Sequence, residues 1–132
     1  MFASINPAEV PAVKDDTGER PIPTAWRATL VKIVSALKDG DYGLEAGIPG
    51  VVRPTAQTAE HIRRSIRAYG AELVDLPEAT WESSVCIWYS PKWSALIDLW
   101  TRREGRSDLV LRVVVVEQGD GYSISIDLVY VP

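Results

Sequence analysis

The sequence predicts an α+β fold, in which two helices pack on one face of a curved antiparallel sheet of about five strands, in the order α-α-β-β-β-β-β. Two amphipathic stretches with helical spacing lie in the first half of the chain, and alternating stretches joined by short turns fill most of the second half. Short turns make neighbouring strands antiparallel, and helices that precede such a run of strands pack together on one of its faces.

One domain is expected, because 132 residues provide one core and the sequence contains no internal repeat. Residues 1–22 are predicted to form a flexible N-terminal arm, and residues 23–132 to form the domain. The arm and its junction are rich in proline, which removes backbone donors and restricts the residue before it. These prolines are Pro7, Pro11, Pro21 and Pro23.

The first helix is predicted over Thr24–Asp39, where apolar residues recur at the spacing of one helical face. These residues are Trp26, Leu30, Ile33, Val34 and Leu37. The Thr24 hydroxyl is expected to cap the first turn, and Gly40 is expected to end the helix in the left-handed conformation.

The second helix is predicted over Thr55–Tyr69, after a glycine-rich connection. Thr55 or Thr58 is suited to cap its first turn, and Gly70 is suited to end it. Its inner stripe is Ala59, Ile62, Ile66 and Tyr69. His61 lies beside this stripe and has no acidic residue at helical spacing, so a structural role is expected for it.

The strands are predicted from alternation and from turn residues. Their bounds are Glu72–Leu76, Trp81–Tyr89, Trp93–Trp100, Asp108–Glu117 and Tyr122–Val131. The strand Glu72–Leu76 is expected at an edge, because Pro77 follows it, and Asp108–Glu117 is expected at the centre, because both of its faces are apolar. The inner residues of the last strand are expected to be Tyr122, Ile124, Ile126, Leu128 and Tyr130.

Composition excludes several classes of function. The net charge of −4 and the pI of about 5.0 weigh against nucleic-acid binding, which needs a basic surface. No apolar run is long enough to span a membrane, and the N-terminus does not resemble a secretory signal. One cysteine, Cys86, and one histidine, His61, exclude an internal disulfide and clustered Cys/His metal sites. We therefore expect a cytoplasmic protein with no metal and no cofactor.

Asp98 is the candidate for a catalytic residue, because it interrupts the apolar strand Trp93–Trp100. If it is buried there, its carboxyl is desolvated, as in a general acid or base. If its side of the strand is solvated, it is only the polar member of the alternation. The sequence alone leaves both interpretations open.

Three tryptophans and three arginines are predicted to form a binding surface. Tryptophan anchors interfaces and lines pockets, although it also forms ordinary core, and at least one of Trp88 and Trp100 should face away from the helices. The arginines follow Trp100 in a polar connection and are suited to recognise an acidic group, unless Arg106 pairs with Asp108 to hold the bend. The predicted binding residues are Trp88, Trp93, Trp100, Arg102, Arg103 and Arg106.

The segment Leu99–Leu109 reads Leu-Trp-Thr-Arg-Arg-Glu-Gly-Arg-Ser-Asp-Leu. Together with the last strand, it resembles a family of small bacterial domains of unknown function over residues 23–132. The resemblance implies a shared fold and brings no activity with it. At the level of fold, the predicted sheet is also similar to the cones of nuclear-transport-factor-2 and cystatin.

The function expected from these residues is protein contact without catalysis. The partner is either a different protein, as small α+β domains that resemble immunity proteins imply, or a second copy of the chain in a homodimer. The alternative is a small-molecule or acid/base pocket in a cone-shaped sheet, with Asp98 as its acid or base and aromatic residues as its lining. Neither a nucleic acid nor a membrane is expected as a partner.

Overall fold

The computed structural model describes residues 9–132, so residues 1–8 of the predicted arm lie outside the described part. The elements, in chain order, are β1 Arg20–Pro21, α1 Thr24–Lys38, α2 Ala56–Tyr69, a 3-10 helix Glu78–Glu82, β2 Val85–Tyr89, β3 Lys92–Thr101, β4 Gly105–Gln118 and β5 Gly121–Tyr130. The five strands form one antiparallel sheet in the order β1-β2-β3-β4-β5, and α2 packs on β5. The predicted α+β class is confirmed.

The first helix starts differently from the prediction. Thr24 is the first helical residue and Pro23 is the cap, with no side-chain hydrogen bond to the first turn. The Thr24 hydroxyl instead accepts a hydrogen bond of 2.6 Å from the backbone N–H of Val10. The prediction that Thr24 caps the helix is wrong, because its hydroxyl serves the preceding segment.

The second helix begins and ends as predicted. The Thr55 hydroxyl accepts a hydrogen bond of 3.1 Å from the N–H of Thr58, which satisfies one of the unpaired donors of the first turn. Gly70 ends the helix in the left-handed conformation, with φ of +79°. Both features follow from local sequence chemistry.

The core lies between the helices and one face of the sheet. Trp26 of α1 packs edge-on against Trp93 of β3 and Tyr122 of β5, with ring centroids 5.4 and 5.6 Å apart. Alternate residues of β3 and β4 complete this layer and are fully buried. They include Ala95, Ile97, Leu99, Leu111, Val113 and Val115.

Two predicted strands are corrected. The segment Glu72–Leu76 is not a strand, since it makes only one bridge, between Leu73 and Thr101, and β1 occupies the sheet edge instead. The strand predicted over Trp81–Tyr89 begins only at Val85, because the preceding residues form the 3-10 helix.

A β-bulge in β5 overturns the predicted alternation of that strand. Arg112 pairs with Leu128 and the next residue, Val113, pairs with Ile126, so Asp127 is an extra residue in the ladder. An extra residue reverses the faces of all that follows. Val129 is therefore fully buried, and Leu128 and Tyr130, which were predicted inside, lie on the opposite face.

Both edges of the sheet are partly covered. Along β5, the chain at residues 50–52 exchanges two backbone hydrogen bonds of 2.9 Å with Ile124, and the His61 imidazole accepts a bond of 3.2 Å from the N–H of Val129. His61 is therefore part of the scaffold. At the other edge, β1 covers Val85 and Cys86 of β2.

Residues 10–22 make several contacts with the domain. The indole N–H of Trp93 donates to the carbonyl of Val13 at 2.9 Å, and Ile22 is fully buried in the core. Lys14 lies 2.7 Å from Glu117 of β4. The domain boundary at residue 22 stays a prediction.

Candidate functional site

The sheet face that points away from the helices, called the outer face below, is the candidate site. Its residues alternate with the buried residues of each strand, and most of them are half-buried. The apolar members are Val85, Ile87, Tyr89, Leu96, Val110, Val114, Val116, Leu128 and Tyr130, and the polar members are Lys92, Ser94, Asp98, Arg112, Ser123, Ser125 and Asp127.

The strand register arranges the outer face in rows that cross the sheet. In the order β2 to β5, the first row is Tyr89, Lys92, Val116 and Ser123, and the second row is Ile87, Ser94, Val114 and Ser125. The third row is Val85, Leu96, Arg112 and Leu128. The fourth row begins at β3 and is Asp98, Val110 and Tyr130. The buried side chains of both helices belong to the core on the opposite face. Neither α1 nor α2 therefore packs on the outer face, and the 3-10 helix contacts β3 only near Asp98 and Trp100.

Arg112 is the charged residue nearest the middle of the outer face. Its Nε lies 3.2 Å from a carboxylate oxygen of Asp127, and the side chains of both residues are 42% exposed. The Nε atom is nevertheless buried without a well-aligned hydrogen-bond acceptor in the described chain. Beside it lies a shallow groove of about 240 Å³, which Tyr89, Leu96 and Tyr130 help to line. The centre of the outer face thus combines apolar walls with one incompletely satisfied donor.

Asp98 lies at one end of the outer face, and three hydroxyl groups hold it. Its carboxylate accepts a hydrogen bond of 2.5 Å from Ser83, its N–H donates to the Ser84 hydroxyl at 3.0 Å, and its carbonyl accepts from Thr80 at 2.8 Å. Asp98 is half-buried and borders an open cleft of about 620 Å³, which Arg106 also lines. Asp98 is therefore reachable from solvent.

The three tryptophans predicted to bind do not share one surface. Trp93 is 1% exposed and belongs to the core, and Trp88 packs against it on the helix side with ring centroids 4.6 Å apart. Trp100 is half-buried beside Ala79, Glu82 and Arg106. Of the three, Trp100 is the one on the side away from the helices. A binding role for these residues stays a prediction.

The arginine-rich connection has a structural explanation for part of its sequence. Arg102 forms two hydrogen bonds with the carboxylate of Glu72, at 3.2 and 3.1 Å, and this ion pair lowers the pKa of Glu72 below its usual value. Arg103 and Arg106 are exposed, and neither forms a salt bridge within residues 9–132. The suggested pairing of Arg106 with Asp108 is thus absent, and an acidic ligand for Arg103 and Arg106 stays a prediction.

The Leu99–Leu109 segment builds a wide bulge between β3 and β4. Asp98 pairs with Val110 and Trp100 pairs with Arg106, so three residues of β4 stand opposite Leu99 alone. Ser107 fills the gap in the ladder, because its hydroxyl donates to the carbonyl of Leu99 at 2.8 Å and accepts from the N–H of Leu109 at 3.1 Å. Much of this distinctive segment therefore serves the fold.

Cys86 is buried beneath β1 and points to the helix side of the sheet. Burial raises the pKa of its thiol to about 11, although the nearby charge of Arg20 acts in the opposite direction. The thiolate is the nucleophilic form of cysteine, so a raised pKa disfavours nucleophilic chemistry at neutral pH. Cys86 serves here as a small buried apolar residue.

The continuity of the outer face was missed in the sequence. Strand alternation predicts two faces for β2, β3 and β4, but the assignment of Leu128 and Tyr130 to the outer face depends on the Asp127 bulge. Arg112 gave a signal only as a polar residue within an apolar strand, and Lys92, which precedes the predicted strand, gave none. Their relation to each other requires the register.

Residues 34–132 match the model of one protein family, which is described as a domain of unknown function (DUF7668). The chain belongs to this family. The DUF7668 match covers the last turn of α1 and all of α2, β2, β3, β4 and β5. Comparison with curated proteins and with solved structures gave no match. The expected membership in a domain family of unknown function is confirmed at this level, while the likeness to cone folds and the Leu99–Leu109 segment as a family motif received no support.

Neither of the described helices combines the length and the apolar character that crossing a bilayer requires. The cytoplasmic location expected from the sequence stays a prediction.

Proposed function

We propose that this DUF7668 chain is a non-enzymatic protein-contact domain that pairs with a second copy of itself through the outer face. The observation that carries the proposal is a sheet face with nine apolar side chains that neither α1 nor α2 covers. Antiparallel sheets commonly leave one face to solvent, but that face is then polar. An extended apolar patch is typical of a contact surface.

The size of the outer face supports pairing of moderate strength. Four strands about 4.8 Å apart and four rows about 6.8 Å apart give a footprint of roughly 500 Å². Two such faces bury about 1,000 Å², which is at the lower end of specific protein interfaces. We therefore expect a dimer with a dissociation constant in the micromolar range rather than an obligate one.

The charges on the outer face favour a second copy over a strongly charged partner. Lys92 and Arg112 balance Asp98 and Asp127 on the outer face. At its margins, Glu19 lines the groove and Arg106 lines the cleft beside Asp98, and their charges also balance. The face is therefore close to neutral although the chain carries a net charge of −4. A neutral face that contains both signs is self-complementary, as the same surface must be in a two-fold dimer. A basic or acidic partner would find no matching field there.

Analytical ultracentrifugation over a dilution series tests the proposal. The parent is expected to shift from monomer to dimer between about 1 and 100 µM. Val114→Lys places a positive charge in the middle of the outer face and should keep the chain monomeric, while Val52→Lys, at an apolar loop residue that is 52% exposed, should not. If the unmodified chain stays monomeric at all concentrations, self-association is refuted. The partner that covers the outer face would then be a different protein, as for an immunity-like domain.

A small-molecule site is the second candidate, and the Ser83–Asp98 hydrogen bond in an open cleft of about 620 Å³ favours it. A short bond of 2.5 Å holds the carboxylate in a fixed position, which suits recognition of a hydroxyl or amine group. NMR titration with small polyols and amines tests this. Shifts at Ser83 that disappear in Asp98→Asn would support it, and unchanged spectra would refute it.

A further inference from the structure

Opposite charges lie on β3 in the first and the last of the four rows of the outer face. Lys92 begins the strand and Asp98 follows six residues later, so their side chains leave the same face of the sheet roughly 20 Å apart. Within residues 9–132, neither side chain takes part in a salt bridge. Each presents an unneutralised charge to whatever covers the outer face.

The two charges lie symmetrically about the centre of the sheet. The residue midway between them is Ala95, which pairs with Val113 in β4. On β4, Val110 and Val116 are equally spaced about Val113, and they are the ladder partners of Asp98 and Lys92. The row through Ala95 and Val113 is thus the natural midline of the outer face.

Two copies that meet face to face are related by a two-fold axis lying in the interface. An axis parallel to the strands, between β3 and β4, would set Lys92 against Val116 and Asp98 against Val110, and would press charges onto apolar side chains. An axis across the strands, above Ala95, sets Lys92 of each copy opposite Asp98 of the other. The charges therefore select the second arrangement.

We infer that the proposed dimer is built about this transverse axis and that Lys92 of each copy forms an ion pair with Asp98 of the second copy. The inference rests on the proposed pairing through the outer face. Packed sheets are rotated by about 30°, which displaces groups about 10 Å from the axis by roughly 5 Å. The flexible four-carbon stem of lysine accommodates such a displacement.

The centre of the outer face fits the same arrangement. The transverse axis places Arg112 opposite Val114 of the second copy, and Val114 pairs with Ser94 on one side and Ser125 on the other. These small side chains leave space for a guanidinium group, and their hydroxyl oxygens are suitable acceptors for its terminal N–H groups. The charge of Arg112 thus faces polar groups of the second copy, as the charges of Lys92 and Asp98 do.

Carbodiimide crosslinking tests the arrangement in the unmodified protein. This reagent joins an amine to a carboxylate with no spacer, and Lys92 and Asp98 of one chain are too far apart to be joined. We expect a Lys92–Asp98 peptide in the dimer band by mass spectrometry, which can arise only between copies. A dimer in which Lys92 is joined to other carboxylates and not to Asp98 would overturn the arrangement.

Charge reversal provides an independent test by ultracentrifugation. Lys92→Glu and Asp98→Lys, each checked for folding by circular dichroism, should weaken self-association more than tenfold, because each places two like-charge pairs in the interface. An equimolar mixture of the two variants should dimerise like the parent, and so should the double variant. If the parent dimerises and the mixture is no tighter than either variant alone, the ion pairs are refuted while the dimer stands; a monomeric parent refutes the dimer itself.

Discussion

Replacing Ser107 by alanine removes one hydroxyl that serves two buried backbone groups. Ser107 is 6% exposed, and its hydroxyl satisfies the carbonyl of Leu99 and the N–H of Leu109 where the β3–β4 ladder is interrupted. A buried polar group left without a partner costs about 1–3 kcal/mol. With two such groups and partial relaxation, Ser107→Ala should lower the free energy of unfolding by about 2–4 kcal/mol.

Urea denaturation followed by tryptophan fluorescence measures this loss. Ser123→Ala is the matched control, because Ser123 is half-buried and its side chain forms no hydrogen bond with another described residue, so a change within about 0.5 kcal/mol is expected. Amide hydrogen exchange at Leu109 should also accelerate in Ser107→Ala. A loss below about 0.5 kcal/mol for Ser107→Ala would show that the bulge does not depend on this hydroxyl.

Three further predictions concern single residues. Gly105→Ala should cost about 1–2 kcal/mol in the same denaturation experiment, because φ is +74° while an added Cβ would meet no atom closer than 3.8 Å, so the cost is in the backbone; an unchanged midpoint would contradict this. His61→Leu should lower the free energy of unfolding by about 1–3 kcal/mol, because it leaves the N–H of Val129 unpaired. His61→Gln retains an acceptor and should lower it by less. Equal losses of stability in the two variants would argue against the hydrogen bond. In the folded chain, Cys86 should react slowly with iodoacetamide at pH 8 and faster as the pH approaches its thiol pKa of about 11. The urea-unfolded chain should react rapidly at pH 8. Equal rates for the folded and unfolded chains at pH 8 would contradict burial of the thiol.

Local chemistry determines α2, and so the sequence predicts it well. A threonine cap, an apolar stripe and a glycine in the left-handed conformation are sufficient, and each acts within a few residues. The start of α1 shows the limit of the same reasoning. Thr24 has the right chemistry for a cap, but a hydrogen bond from Val10, fourteen residues earlier, takes its hydroxyl.

The sheet shows why alternation alone was insufficient. The strand β1 has two residues and carries no periodic pattern, so only its pairing with β2 identifies it. The bulge at Asp127 depends on the register of β5 against β4, and neither strand specifies that register by itself. Its consequence is large, because Leu128 and Tyr130 move from the predicted core to the outer face.

The candidate site was only partly predictable for a related reason. The sequence indicates an exposed apolar sheet face and draws attention to Asp98, but it leaves open which of Trp88 and Trp100 lies on that face. In the structure Trp88 packs against Trp93 on the helix side, and Trp100 lies on the opposite side. Lys92 lacked any local signal, since its significance comes from its position relative to Asp98 and to the midline of the folded sheet.

The covered edges of the sheet limit how many copies can join. Residues 50–52 and His61 occupy part of the β5 edge, and β1 leaves only the Ile87–Tyr89 end of β2 open. Fibre growth requires long free edges that accept one strand after another. A chain that associates by a face and not by its edges reaches a closed pair and stops, so its solutions should stay clear at concentrations where an open-edged sheet of similar apolar content would precipitate.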